Sequence, residues 1–426
     1  MSNTLQLFIV TSIFVLTYGV IISEKINRTT IAFLGATLLV LFKIINLEVA
    51  IEAVDFDTIL LLIGMMIIIN ILKRTGLFQY IAIKSAKSAK GDPLRILIML
   101  ALVTAVSSAF LDNVTTVLLI APVTLVITET LEIDPIPFMI VQILAANIGG
   151  TATLIGDPPN IMIGSETSLG FMDFIINLSP VVIVIFIVTI LIIKRIFYSQ
   201  LHVKDELKHK IMEFDENLSL KDTQLLVKSL IVLFITIAGF VLHQFIHLET
   251  AVVALTGASI LLLVSKVDPE EIFQEIEWLT IFFFAFLFIL VGALEEVGII
   301  EFIAKKVISI TNGNLLSTTL LILWVSGIVS AFLDNIPFVA TMIPLIQSIG
   351  TLTNMDITPL WWSLALGACL GGNGTLVGAS ANVVVAGILE KHKHKISFFE
   401  YMKLAFPLML LSIIISTVYL YLFYVR

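Results

Sequence analysis

Apolar stretches of 14 to 23 residues, divided by short polar punctuation, run along almost the whole chain. Seven of them lie near Leu5–Ile22, Thr30–Leu47, Thr58–Leu72, Leu94–Phe110, Val114–Ile127, Ile136–Ile155 and Phe171–Ile193. Seven more lie near Leu225–Phe245, Ala251–Val264, Trp278–Leu294, Leu315–Phe332, Ile336–Ile349, Leu360–Val377 and Leu404–Tyr424. Between the two sets, Lys194–Asp222 carries twelve charged side chains in 29 residues. A helix needs about 20 apolar residues to cross the hydrocarbon layer, so the longer stretches predict membrane spans.

Composition agrees with this pattern. The 426 residues are 58% apolar and only 13% charged, whereas a soluble chain carries about 25% charge to wet its surface. A soluble enzyme or nucleic-acid binder is therefore excluded. The single cysteine, Cys369, leaves no internal disulfide framework and no metal cluster, and no cofactor motif or P-loop is present. The net charge of −8 adds little. Met1-Ser-Asn-Thr-Leu-Gln6 lacks a basic leader, so the first apolar run is expected to be a retained helix and not a cleaved signal.

The second set of stretches repeats the first at an offset of 222. Gly35-Ala36 matches Gly257-Ala258, Gly76 matches Gly298, and Gly91 matches Gly313. Ser-Ala-Phe-Leu-Asp-Asn at 108–113 returns unchanged at 330–335. Gly149-Gly150, Thr153-Leu154, Gly156 and Asn160 match Gly371-Gly372, Thr375-Leu376, Gly378 and Asn382. Past an apparent insertion at Lys391–Lys395 the offset becomes 227, pairing Pro180 with Pro407. Shared Gly, Asp and Asn in register mark an internal repeat, which is to be sought before any other feature. The division is residues 1–197, a linker 198–222, and 223–426.

Each stretch around Leu-Asp-Asn can fold as a re-entrant hairpin, leaving about five crossings per repeat, so that the second copy is inverted. With the linker in the cytoplasm and both termini outside, only Lys43, Lys305, Lys306 and Arg426 of the 24 basic residues fall outside, as the positive-inside rule requires. The expected fold is an all-α polytopic membrane protein. It has two inverted repeats of about five transmembrane helices, each with a re-entrant hairpin and a broken helix.

Two motifs carry chemistry. Asp112-Asn113 and Asp334-Asn335 sit at the hairpin tips, with Thr115 following in the first copy. An intramembrane carboxylate is expensive and marks function by default; the bland alternative is an N-cap for the following half-helix. Asn147-Ile-Gly-Gly-Thr-Ala-Thr-Leu-Ile-Gly-Asp-Pro-Pro-Asn160 and Gly371-Gly-Asn-Gly-Thr-Leu-Val-Gly-Ala-Ser-Ala-Asn382 cannot stay regular helices. Unwound backbone at membrane depth lines cavities, and paired broken helices point to a transporter's central site. Close packing of small residues is the alternative reason for the glycines. Ala379 stands where the first copy has Asp157, and Asn373 where it has Thr151. Asp112, Asp157 and Asp334 are thus three acids with no basic partner evident in the apolar segments, to be neutralised by protons or bound cations. Trp361 and Trp362 read as an interfacial belt, and Phe78–Lys90 as a basic amphipathic helix along the cytoplasmic interface.

Ser108–Thr116 followed by Gly149–Asn160 resembles the signature of the group holding arsenite permeases, D-type sodium–proton antiporters and the melanosomal P protein. That group sits within the ion transporter superfamily of citrate and dicarboxylate carriers. The resemblance covers nearly the whole chain. It implies a homodimer in the lipid bilayer of the cell membrane, with a scaffold region and a transport region working in an elevator-like cycle. It also carries site roles onto Asp112-Asn113-Val114-Thr115, Thr151–Thr153, Asp157–Asn160, Asp334-Asn335 and Asn373–Thr375. The dicarboxylate branch shows Ser-Asn-Thr at such tips, where this chain has Leu-Asp-Asn.

The leading expectation is a proton- or sodium-coupled secondary transporter of an inorganic ion, an antiporter or efflux permease and not an enzyme. The expected site is Asp112, Asn113, Thr115, Thr151, Thr153, Asp157, Asn160, Asp334, Asn335, Asn373, Thr375 and Asn382. No structural metal is expected; Na⁺ would sit at Asp112, Asn113, Asp334 and Asn335. An organic-anion or dicarboxylate symporter is the alternative, and an ion channel the alternative of another class.

Overall fold

Capping residues and glycines cut the apolar sequence into helices. In the computed structural model, which describes residues 3–23, 25–198 and 201–425, there are helices and no strands among the described residues. The first half holds α1 (Asn3–Ser23), α2 (Arg28–Leu41), α3 (Leu47–Glu52), α4 (Phe56–Arg74) and α5 (Leu77–Ser88). It continues with α6 (Pro93–Phe110), α7 (Asn113–Thr130), α8 (Ile136–Gly150), α9 (Pro158–Ser165) and α10 (Phe171–Phe197). A short α11 (Asp205–Met212) lies in the charged linker. The second half holds α12 (Thr223–Ile246), α13 (Thr250–Ser265), α14 (Pro269–Gln274), α15 (Trp278–Glu296) and α16 (Ile299–Thr311). It ends with α17 (Leu315–Phe332), α18 (Asn335–Thr353), α19 (Thr358–Gly371), α20 (Ser380–Lys391) and α21 (Phe398–Leu420). Met1, Ser2 and Arg426, on which the readings of the two termini touch, lie outside the described residues, as do Glu24, Ser199 and Gln200.

Among the described residues, ten helices are long and apolar enough to cross a membrane. The hairpin arms α6 and α7 are 18 residues each, about 27 Å at 1.5 Å per residue. They are longer than the short arms expected, and close to the thickness of the hydrocarbon core.

Local chemistry explains the recurrence of helices from one half to the other. Gly76 and Gly298 precede α5 and α16 at φ 80° and 79°, a left-handed geometry that a side chain resists. Asp112 caps α7 by accepting from Thr115 N at 2.8 Å, and Asp334 caps α18 by accepting from Ile336 N at 3.1 Å. Ser108 Oγ donates to Ala146 O at 2.7 Å, and Ser330 Oγ donates to Ala368 O at the same 2.7 Å. Gly149 lets α8 lie directly on α6: a Cβ there would stand 2.1 Å from Ala105 O. Small-residue packing therefore accounts for this glycine. Gly149→Val is expected to cost about 1–3 kcal/mol or more by overpacking, read as a lower melting temperature in detergent.

The helices pack into two groups. In the first, α2 lies on α15, α4 on α13, and α1 and α12 flank them. In the second, α6 lies on α8 and α17 on α19, with α7 packed against α20 and α18 against α9. Each hairpin thus rests on the broken helix of the other half. The linker docks onto α5, where Lys87 Nζ meets Glu216 Oε2 at 2.6 Å and holds that carboxyl below the usual carboxylate range. Trp361 and Trp362 are buried, Trp362 edge-on to Phe174 at 5.3 Å between ring centroids. They are core residues and form no interfacial belt, because α19 is enclosed by neighbouring helices on all sides.

Candidate functional site

Breaking two apolar helices frees backbone carbonyls that must find partners in a place without bulk water. Asparagines answer that need in both halves. Asn160 Nδ2 donates to Thr151 O at 3.2 Å and Thr153 O at 2.8 Å; Asn382 Nδ2 donates to Gly372 O at 2.8 Å and Thr375 O at 2.9 Å. Thr153 and Thr375 use their hydroxyls on Ala109 O and Ala331 O, tying each break to the hairpin arm beside it. Thr151 Oγ1 closes on its own helix at Asn147 O, 2.7 Å away. These side chains shape the breaks instead of facing open space. Replacing Asn382 by Leu would orphan the buried carbonyl of Gly372, at about 1–3 kcal/mol, leave Thr375 O only the bond from Gly378 N at 3.3 Å, and should lower the thermal midpoint clearly.

Behind the breaks a buried amide chain joins the halves. Asn113 Nδ2 donates to Asn147 Oδ1 at 3.0 Å, and Asn147 Nδ2 donates to both Asn373 Oδ1 and Asn382 Oδ1 at 3.0 Å. In the repeat register Asn147 corresponds to Cys369, and Cys369 Sγ lies 3.6 Å from Asn160 Oδ1. The two contacts are the same junction seen from each half.

A cavity of about 270 Å³ opens where both hairpin tips and the first break meet. It lies between the two packing groups, and its polar lining includes Arg28, Asp112, Asn113, Asp157, Glu277, Asn335 and Ser380. Asp157, 1% exposed, receives Asn335 Nδ2 at 3.3 and 3.4 Å from its two carboxylate oxygens. Asp334 lines a neighbouring cavity that shares Arg28, whose Nη1 lies 2.5 Å from Asp334 Oδ2 and donates to Ser380 Oγ at 2.9 Å. Ser380 Oγ in turn donates to Asp334 Oδ2 at 2.9 Å. The Arg28 guanidinium also sits 4.9 Å from the Phe283 ring centroid, a favourable cation–π position.

That pair corrects one expectation. Asp334 has a basic partner, because the N-terminus of α2 brings Arg28 inward instead of leaving it as a flanking charge. Asp112, Asn113, Asp157 and Asn335 come together around one cavity, with Asp334 one guanidinium away; Asn373 and Asn382 stand behind in the amide chain. Thr115, Thr151, Thr153, Asn160 and Thr375 do not line the cavity. The residues missed are Arg28, Glu277, Ser380 and Asn147. A signal existed for each in the differences between copies: Arg28 against Thr250, Glu277 against Asp55, Ser380 against Pro158, Asn147 against Cys369.

Three carboxylates (Asp112, Asp157 and Glu277) and one guanidinium, that of Arg28, thus line the cavity, and the guanidinium is paired with a fourth carboxylate, Asp334. Among the described residues no three His, Cys, Asp or Glu side chains converge as a metal cluster.

An acid-rich cavity between two packing groups, inside a bundle of membrane-length helices, defines a multi-pass integral membrane protein of the transporter class. The family model described as "Citrate transporter" (CitMHS) matches residues 18–367, and the chain belongs to that family. It is 44% identical to an uncharacterized transporter of Mycobacterium bovis over 97% of both chains. It is 42% identical to a 46 kDa membrane protein of Mycobacterium leprae over 97% of this chain and 98% of the other. The human P protein is 35% identical over 97% of this chain, which spans 60% of that protein's length. The crystal structure of the YdaH transporter of Alcanivorax borkumensis superposes with a TM-score of 0.61, covering 98% of this chain and 97% of that one at 13% identity. That likeness is one of fold.

Proposed function

We propose that the chain is a secondary active transporter of an inorganic ion, coupled to protons or Na⁺, working as an antiporter or efflux permease. The observation that carries this reading is the excess of carboxylates, buried Asp157 with half-buried Asp112 and Glu277, over the one basic group, Arg28, around a cavity at the meeting of hairpins and breaks. Uncompensated buried acids must take up a proton or cation, and they must release it for the cycle to turn. Asp112 and Asp157 are the coupling groups, with Asn113 and Asn335 completing their coordination. Asp334 binds its cation in exchange for Arg28.

The halves act as inverted repeats. The group built on α4 and α13 serves as scaffold and the group carrying both hairpins as the moving part of an elevator-like cycle. The central linker lies in the cytoplasm, both termini outside, and the unit in the membrane is a homodimer. A second reading, an organic-anion symporter of the citrate type, is favoured by the family's description and by Arg28 beside two capped helix starts, which can hold a carboxylate.

Proteoliposomes separate the two. Proton movement triggered by external Na⁺ and abolished in Asp112→Asn is the expected result. Citrate or succinate uptake that survives this substitution would establish the second reading instead.

A further inference from the structure

The ion pair between Arg28 and Asp334 joins the two packing groups: Arg28 opens α2 in the first, and Asp334 caps α18 in the second. Contacts within each group come in repeat-related pairs. The packing of α2 on α15 matches that of α13 on α4, and α6 on α8 matches α17 on α19. Contacts between the groups do not pair in this way. Helix α15 packs on α18, with no comparable packing of α4 on α7; α4 packs on α9, with no comparable packing of α15 on α20.

Applied to the ion pair, the repeat relation would set Thr250 against Asp112. Instead Thr250 lines a separate pocket with Asp57, His243 and Glu249. The two groups therefore meet asymmetrically with respect to the repeat, and the ion pair has no counterpart in the other half. Exchanging the roles of the repeats parts Arg28 from Asp334 and offers Asp112 only a threonine.

Arg28 and Glu277 are the charged side chains that the first group contributes to the cavity, and Asp112 and Asp157 come from the second. Arg28 is the single positive charge among them. Its partner Asp334 is held by one guanidinium nitrogen and the Ser380 hydroxyl, an arrangement a small cation could replace.

We infer that Arg28 is a tethered cation: it occupies Asp334 while no coupling cation is bound, and a proton or monovalent cation takes that carboxylate only by displacing it. Displacement frees the hairpin from the scaffold, so binding and movement are linked through one residue. This rests on the cation-coupled reading above. Arg28 acts as a positioning residue, competing with the cation instead of coordinating it.

The test is Na⁺-dependent flux in proteoliposomes for wild type, Arg28→Gln, Arg28→Lys and Asp334→Asn, each checked for a monodisperse folded protein. Removing the competitor should lower the apparent KM for Na⁺ roughly tenfold in Arg28→Gln. Arg28→Lys keeps the charge but loses the planar guanidinium seated over the Phe283 ring, so a fall of about two- to threefold is expected. A merely structural arginine would lower maximal flux and leave KM alone. Should Arg28→Gln fail to fold, the lysine variant carries the comparison. An unchanged or raised KM in the folded variants, with Asp334→Asn inactive, overturns the tethered cation and spares the transport reading. Full Na⁺-dependent flux with unchanged KM in Asp334→Asn also overturns the tethered cation alone, whereas absence of Na⁺-dependent flux in the folded wild type overturns the cation-coupled reading.

Discussion

Asp157→Asn is expected to abolish coupled transport and, without cation, to make the protein more stable. Asp157 is buried, bonded to the weak amide donor Asn335 and close to the Cys369 thiol, with no ion pair among the described residues. Its negative charge is uncompensated until a cation or proton arrives. An amide has the same shape and no charge, so it removes that cost, by about 1–3 kcal/mol in line with buried polar substitutions. It also removes the group that must exchange its positive partner. Turnover should fall roughly 100-fold or more, equivalent to about 2.7 kcal/mol. Melting in detergent at neutral pH without Na⁺ and flux in proteoliposomes, measured on one preparation, check both halves. Loss of activity with loss of stability would mean that Asp157 is a structural cap.

Asn147→Leu should give the largest loss of stability. Leucine fits the volume but leaves three buried asparagines, Asn113, Asn373 and Asn382, each short of a partner. At about 1–3 kcal/mol for each orphaned group, the sum rivals the whole stability of a typical domain. Asn147→Leu is therefore expected to fail to accumulate as folded protein. Asn147→Cys, which places in the first half the residue the second half already uses at 369, should fold with a lowered midpoint. Size-exclusion profiles and thermal midpoints of the two variants report the difference.

The helical architecture was readable because lipid demands long apolar runs and because the chain says most things twice. Asp112 and Asp334 cap α7 and α18 in register, and the breaks fall at Thr151–Asp157 and Gly372–Ala379 as the glycines and prolines dictate. The site was readable only in part. Asp112, Asp157 and Asn335 sit together because hairpin tips and breaks meet, a consequence of motifs. Arg28 was not readable as a partner of Asp334, since 306 positions separate them and a basic residue at the head of an apolar run looks like an ordinary flank. Trp361 and Trp362 misled for a similar reason. Tryptophan near a helix start suits an interface, but packing of α19 inside the bundle overrides that preference.

The central claim is that the cavity's carboxylates trade protons for a cation. Proton release on adding Na⁺ to the purified protein in weakly buffered detergent solution tests it without any assumption about the transported substrate. Release of up to about one proton from each of Asp112 and Asp157 is predicted, abolished in the Asp112→Asn, Asp157→Asn double variant. Absence of release across about pH 5 to 9, or release that persists in the double variant, would contradict the claim.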